Sequence, residues 1–385
     1  MSSTKDFSLS FRETTLYFGI NSTERISRSI KGFRRALIVT GKTSAKKSGA
    51  LDDILKILNE NDIEYTIYDS VTSNPTVDKI EEITEKGKIF DTDLIIAIGG
   101  GSVIDSAKFA SVILSIGGNP VDYIKRKIKP VSHTFLVAIN LTHGTGTEVD
   151  RYAVATISET KEKLGSSIAY PNISVDNPRY MVSLSPQQTL FTSIDAFYHA
   201  LESSIVESSN PYVQDLSEKS AYYIKTYIQV AMKNPSDIEA RYWLLYASML
   251  AGISIDLAGT SIIHGMEHGL SGVNPSLEHG AGLAIIGPLF LPLLYKAFPE
   301  NSWKVMKVLD PSLRPTPEDA EKAGKILDEF QKSIGFNYAL KDYGFDKEWL
   351  KDAVEAGWRI FEPRIPKDKF ILTKEQVYNM LLSRL

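Results

Sequence analysis

The sequence predicts an α/β domain with a parallel sheet over residues 1–184, followed by an all-α domain over residues 185–385. Three observations carry that reading. Short β-branched runs alternate with helical periods through the first half, strand signals stop after about Leu184, and 385 residues exceed what a single core usually needs. Such alternation implies right-handed crossovers, and so strands that run parallel.

Taken in order, Arg35 to Thr40 (Arg-Ala-Leu-Ile-Val-Thr) predicts a strand buried on both faces. Ser48 to Asn59 carries Leu51, Ile54, Leu55 and Leu58 at helical spacing and predicts an amphipathic helix. Glu64 to Val71 predicts a second strand, Asn74-Pro75 a turn and Val77 to Lys86 a helix. Asp93 to Ile98 is the clearest strand; it runs into Gly99-Gly100-Gly101-Ser102 and a helical stretch from Val103 to Ser115. Thr134 to Asn140 is another apolar strand, followed by Leu-Thr-His-Gly-Thr-Gly-Thr-Glu from Leu141 to Glu148. Ser185-Pro186 then opens the helical half: the serine can cap, and proline at the first helical position gives up no intrahelical bond. Helical periods recur at Val213–Val230, Ile238–Leu257, Pro317–Ile334, Lys347–Ile360 and Lys374–Leu382.

Composition narrows the function by exclusion. A net charge of -4 and a pI near 6.0 give no general attraction to nucleic acid or an anionic membrane. With no cysteine, disulfides, thiolate ligands and a cysteine nucleophile are all excluded, so any metal rests on nitrogen and oxygen. The N-terminus lacks a charged start followed by an apolar core, and the longest apolar run, Leu283 to Tyr295, contains Gly287, Pro288 and Pro292 and is short for a bilayer. Cytoplasm is the expected location.

Four of the six histidines fall between Asp195 and His279. Asp195 and His199 are four apart in a segment free of glycine and proline, so on a helix they share one face; His264 and His268 repeat the spacing, and His279 follows. One carboxylate with neutral imidazoles suits iron or zinc, whereas magnesium and calcium prefer oxygen shells. The other reading of each histidine is an ordinary polar core or surface residue.

A strand ending in glycines and opening into a helix is a place for an anion, because bare backbone approaches closely and helix N–H groups point at it. Gly99, Gly100, Gly101 and Ser102 meet that description, with Asp105 and Lys108 on the first turns beyond; a glycine-rich tight turn is the alternative. The spacing is neither Gly-x-Gly-x-x-Gly nor a P-loop. Thr142, Thr145 and Thr147 follow the Thr134–Asn140 strand, and carboxyl ends of parallel strands share one edge, where ligands bind.

Together the motifs resemble the iron-containing, group III alcohol dehydrogenases across almost the whole chain. They are Phe18-Gly19, Asn74-Pro75-Thr76, Gly-Gly-Gly-Ser-Val-Ile-Asp-Ser-Ala-Lys from Gly99 to Lys108, Gly-Thr-Gly-Thr-Glu-Val from Gly144 to Val149, Asp195-x-x-x-His199-Ala-x-Glu202, His264-x-x-x-His268 and His279-Gly-x-Gly-Leu. The resemblance implies a Rossmann-like N-terminal domain and a helical C-terminal domain, the architecture shared with dehydroquinate synthase, acting together on a nicotinamide cofactor and a metal. It implies Asp195, His199, His264 and His279 as ligands of iron or zinc, with His268 beside the metal as the catalytic residue that relays the hydroxyl proton. It implies cofactor contacts from Gly100, Gly101, Ser102, Thr142 and Thr145, and a place near the ribose for Lys163; Asn74 and Asp105 are expected at the same cofactor. A homodimer acting on a small-molecule alcohol or aldehyde is expected on the same ground.

Departures from the family's commonest pattern bear on the cofactor. His143 replaces a small residue, Thr147 a serine and Asp150 a threonine. Gly41 stands where NAD-preferring members often carry an aspartate for the adenosine ribose, and Gly41 to Gly49, with Lys42, Ser44, Lys46 and Lys47, supplies hydroxyls and cations instead. This predicts a preference for NADP(H), with Gly41 and Ser44 at the 2′-phosphate. The expected reaction is hydride transfer between an alcohol or aldehyde and the nicotinamide, with the metal as Lewis acid. Glycerol dehydrogenase-like polyol oxidation and a dehydroquinate synthase-like lyase are the alternatives; a metal-stabilised interaction module is the non-enzymatic one.

Overall fold

The computed structural model describes residues 7–11 and 13–385. Its main sheet has the order β1-β2-β9-β6-β5-β3-β4. The strands are β1 (Phe7–Phe11), β2 (Thr14–Phe18), β3 (Arg35–Thr40), β4 (Glu64–Tyr68), β5 (Leu94–Gly99), β6 (Phe135–Asn140) and β9 (Ile173–Asp176); β7 (Tyr152–Ile157) and β8 (Glu162–Ser167) pair separately. All pairings from β2 to β4 are parallel, and β1 alone runs antiparallel, to β2. The β-branched runs lie where neighbours cover both faces: Leu37 and Val39 pack on one side with Ile95 and Ala97, Ile38 on the other with Ile96 and Ile98.

Helices Ala50–Glu60, Val77–Ile89 and Gly101–Ile116 make the crossovers. The chain moves outward from β3 to β4, then returns to place β5 on the other side of β3. That reversal opens a crevice at the carboxyl ends of β3 and β5, where Gly41 and the Gly99–Ser102 turn lie. Register aligns Thr40 with Ile98 and Gly99 with Asn140, so Gly41, Gly100 and Leu141 leave the sheet at one edge.

Two compact units divide the chain: residues 1–160, 164–185 and 234–245 form one, and residues 161–163, 186–233 and 246–385 the other. A single cut after residue 184 misses both excursions, because neither the hairpin tip at 161–163 nor the first turns of the Ile238–Ala258 helix breaks hydrophobic periodicity. The second unit is helical, with Pro186–Ile205, Pro211–Lys233, Ile262–Val273, His279–Ala297, Ala320–Ser333, Lys347–Phe361 and Lys374–Leu382 among its elements. One expectation needs correcting. The apolar run near Leu283 belongs to the helix His279–Ala297, whose length and composition would suffice for a membrane; most of it is buried inside the protein, and it continues through Pro288 and Pro292.

The α/β unit buries two acids at high cost. Glu148 and Asp176 are fully enclosed; neither Glu148 oxygen has a hydrogen-bond partner among the described residues, nor has Asp176 Oδ2. Burial pushes Asp176 up to about 7 against the opposing hydrogen bond from Asn140, and burial with the nearby Asp176 raises Glu148 well above the carboxylate range. The folded state therefore favours protonated Asp176. That contribution is fully present below the unfolded pKa near 4 and is lost as pH rises to about 7. Asp176→Asn, which keeps the shape without the charge, should melt progressively higher relative to wild type between pH 4 and 7 and hold that gain above pH 7. Thermal unfolding across this range measures it; an unchanged pH profile would count against a buried, proton-binding Asp176.

Candidate functional site

The helical unit gathers the predicted metal donors from three helices. Asp195 and His199 project from one face of Pro186–Ile205, His264 lies in the first turn of Ile262–Val273, and His279 is the first residue of His279–Ala297. The Nε2 atoms of His199, His264 and His279 lie 3.6, 3.6 and 3.5 Å from Asp195 Oδ1. These separations exceed a hydrogen bond but match the edge of a tetrahedron, about 3.4 Å, drawn with metal–ligand distances of about 2.1 Å. Asp195 Oδ1 and His264 Nε2 are buried and have no hydrogen-bond partner among the described residues. Orphaned donor atoms at this spacing fit a transition metal.

Second carboxylates fix the rings. Glu202 Oε2 contacts His264 Nδ1, and Glu267 Oε2 contacts His279 Nδ1. Glu202 also accepts from the backbone N–H of Ser261, Ile263 and His264, at 3.1, 2.8 and 3.2 Å, so it satisfies the start of the helix that carries His264. A carboxylate on Nδ1 leaves the other ring nitrogen free to bind metal. Glu267 sits three residues after His264 between two histidines, a pattern that could have marked it; sequence reasoning passed over it.

Burial opposes charge on His264, but Glu202 and Asp195 outweigh it and lift its pKa to about 9; burial likewise opposes ionisation of Asp195, yet the three imidazoles hold it well below the usual range. The site is thus built for positive charge. Glu267, His268 and His279 form a second group of donors, but Lys163 Nζ stands 3.7 Å from Glu267 Oε2, and a cation there disfavours another metal. His268 is pushed well below its ordinary value by burial first, then by Lys163 and the neighbouring histidines, and its Nδ1 lacks a partner among the described residues.

Glycines set the address of these histidines. A β-carbon on Gly269 would lie 2.4 Å from the Ala353 carbonyl oxygen and 2.5 Å from Gly357 Cα, and one on Gly265 2.4 Å from Phe361 Cβ. The face of Ile262–Val273 that carries Gly265 and Gly269 therefore presses against Lys347–Phe361, leaving the neighbouring face, with His264 and His268, to the metal donors.

At the sheet edge, the Gly101–Ile116 helix begins without a side-chain cap, so its first N–H groups suit a diphosphate. Gly100 and Gly101 lie under the threonine loop: β-carbons there would come within 2.7 Å of Thr142 Cγ2 and 2.6 Å of Thr145 Cγ2. Gly41 passes close to the Val71 carbonyl, Ser44 opens a short helix, Ser102 is the second residue of its helix, and Asn74 holds a positive φ of 53°. Two of the residues expected at the cofactor also have partners within the protein. Asp105 accepts from Thr147 Oγ1 at 2.7 Å and from the Val154 N–H at 2.9 Å, bracing the loop. Lys163 groups with the helical unit, donating to Ser271 Oγ at 2.9 Å beside Glu267. Lys108, wholly buried, donates to Thr147 Oγ1, both the carbonyl and Oδ1 of Asp150, and the Tyr152 carbonyl. The Thr147 and Asp150 departures thus serve the loop's anchorage.

Three imidazole nitrogens around one buried carboxylate oxygen in a helical unit, and an uncapped helix start at a switch point in a parallel sheet, suit a protein that binds a metal ion and a nucleotide. Two family profiles agree: iron-containing alcohol dehydrogenase over residues 13–178, and the C-terminal domain of the same family over residues 189–385. The chain belongs to the iron-containing alcohol dehydrogenase family, which implies a divalent metal and a nicotinamide cofactor. It is 38% identical over 352 residues to a long-chain primary alcohol dehydrogenase of Thermoanaerobacter ethanolicus, covering 89% of this chain and 88% of that one. It is 31% identical over 353 residues to the NADH-dependent butanol dehydrogenase A of Clostridium acetobutylicum, covering 88% and 89%. An archaeal halo-thermophilic alcohol dehydrogenase from a Red Sea brine pool superposes with a TM-score of 0.90 at 26% identity, covering 99% of this chain and 98% of that one.

If Glu202 and Glu267 orient the rings, Glu202→Gln and Glu267→Gln should each weaken metal affinity about tenfold to a hundredfold. Asp195→Ala should weaken it further. Competition against a chelator, read as metal content per chain, checks both; wild-type affinity in the two glutamine variants would assign those carboxylates to packing alone.

Proposed function

We propose that this protein is an alcohol dehydrogenase or aldehyde reductase that moves hydride between a small alcohol or aldehyde and NADP(H), using Fe²⁺ held by Asp195, His199, His264 and His279. The observation that carries this is the convergence of three imidazole Nε2 atoms on the buried Asp195 oxygen, in a chain of this family. Zinc fits the same donors, since nitrogen and oxygen ligands do not separate the two metals. Bound there, the metal supplies a Lewis acid and the nicotinamide supplies the hydride acceptor or donor.

The chain's own residues do the rest. Glu202 and Glu267 hold His264 and His279 with Nε2 toward the metal position. His268, with an unpartnered Nδ1, takes and returns the hydroxyl proton. Gly100, Gly101 and Ser102, with Thr142 and Thr145, cradle the diphosphate, and Asn74 borders it. Gly41 and Ser44 accommodate the 2′-phosphate where an aspartate would repel it. The NADH dependence of the butanol dehydrogenase relative makes this the sharpest part of the reading to test. Lys163 near the ribose and a cytoplasmic homodimer rest on the family resemblance.

Oxidation of NADPH and NADH against a panel of aldehydes and ketones, with protein stripped and reloaded with iron or zinc, tests the whole. Catalytic efficiency should favour NADPH, and Gly41→Asp should shift it toward NADH. Equal or better efficiency of wild type with NADH would overturn the cofactor preference. His268→Ala should slow turnover more than it lowers metal content; lost metal with normal rate after reloading would make His268 a ligand or scaffold residue instead.

A further inference from the structure

The loop from Leu141 to Thr147 is held at three places. At its start, Asn140 Oδ1 accepts from the Thr142 N–H at 3.1 Å while Asn140 Nδ2 donates to Asp176. At its end, Thr147 is gripped by Asp105 and Lys108. Both anchors come from the strands and the helix next to the loop.

The middle is held by a residue 98 positions away. His143 Nε2 lies 3.2 Å from Arg241 Nη1, and both side chains are completely buried. Arg241 is itself fixed, its Nε donating to the Pro235 carbonyl at 2.9 Å, and the next residue, Tyr242, packs edge-on against Phe18 with ring centroids 4.9 Å apart. These contacts join residues 234–245 to the rest of the α/β unit. Burial and the adjacent guanidinium hold His143 down at about 3, so the ring is neutral and Nε2 accepts; burial lowers Arg241 only to about 10, so the donor keeps its charge. His143 sits next to Thr142 and two residues before Thr145, the side chains that cover Gly100 and Gly101.

From this geometry we infer that His143 is a positioning residue for the nicotinamide cofactor, setting Thr142 and Thr145 over the triple-glycine turn through its bond to buried Arg241. The inference rests on the cofactor assignment made above. It also explains the substitution of histidine for a small residue. The ring points into the protein, and its work is to accept a charged N–H that would otherwise lose this acceptor.

Fluorescence titration with NADPH, on metal-free and metal-loaded protein, tests this with three variants. His143→Phe keeps the bulk without the acceptor, His143→Leu removes the acceptor with less bulk should phenylalanine not fold, and His143→Gln restores an acceptor. The acceptor-free variants should raise the NADPH Kd and KM about tenfold, with kcat at saturating cofactor little changed and metal content at the wild-type level. His143→Gln should return most of the affinity. Wild-type Kd in an acceptor-free variant, or equal weakening in the glutamine variant, overturns the inference while leaving the cofactor assignment standing. Failure of wild type to bind NADPH or NADH overturns both.

Discussion

Three imidazole nitrogens aimed at one buried carboxylate oxygen form an arrangement that does not hold itself together. Carboxylate and imidazole lone pairs meeting in a dry interior repel unless a cation lies among them, and burying a charge without a partner is among the most expensive things a fold can do. Here a proton on His264 can meet part of that need, which is why its pKa rises to about 9. A divalent ion meets all of it. Much of the helical unit near these donors can be read as scaffolding for this convergence: Glu202 ties the Pro186–Ile205 helix to the start of Ile262–Val273, and Glu267 ties that helix to His279.

The α/β unit solves a different problem, that of presenting bare backbone to an anion. Glycines at 100 and 101 make the approach possible but supply no rigidity. Rigidity comes from polar side chains the glycines cannot provide: Lys108 with its four acceptors, Asp105 with two donors, and the buried Arg241–His143 pair. A fully buried ammonium is tolerated because every N–H has a partner, and a fully buried imidazole because it is neutral. The two units thus use burial in opposite ways, one to prepare for a charge and the other to fix a surface that receives one.

Much of this was legible in the sequence because hydrophobic period is a local property. Arg35–Thr40, Lys374–Leu382 and the start at Pro186 appear with the bounds expected, and Val77–Lys86 lengthens only to Ile89. β9 escaped notice because four residues are too few for a pattern, although the strand sits between β2 and β6 in the sheet. Spacing marked Asp195, His199, His264, His268 and His279 as donor types, the family resemblance implied four of them as ligands, and the fold brings the Nε2 atoms of His199, His264 and His279 within 3.6 Å of Asp195 Oδ1. What the sequence hid was pairing over distance: Glu267 with His279, Lys163 with Ser271, and Arg241 with His143. Nor does local composition show that Asp105 takes hydrogen bonds from Thr147 and the Val154 N–H.

The seam between Ile262–Val273 and Lys347–Phe361 has a consequence for how the protein can change. Gly265 and Gly269 let two backbones nearly touch, so the distance from the second helix, not any contact with metal, fixes how far His264 and His268 reach. Variation among the donors themselves is chemically obvious and easily recognised. At this seam a single methyl group on the neighbouring face of the helix would move the same atoms while leaving the donor list intact, so drift there would alter the donor geometry without leaving a mark on its motif.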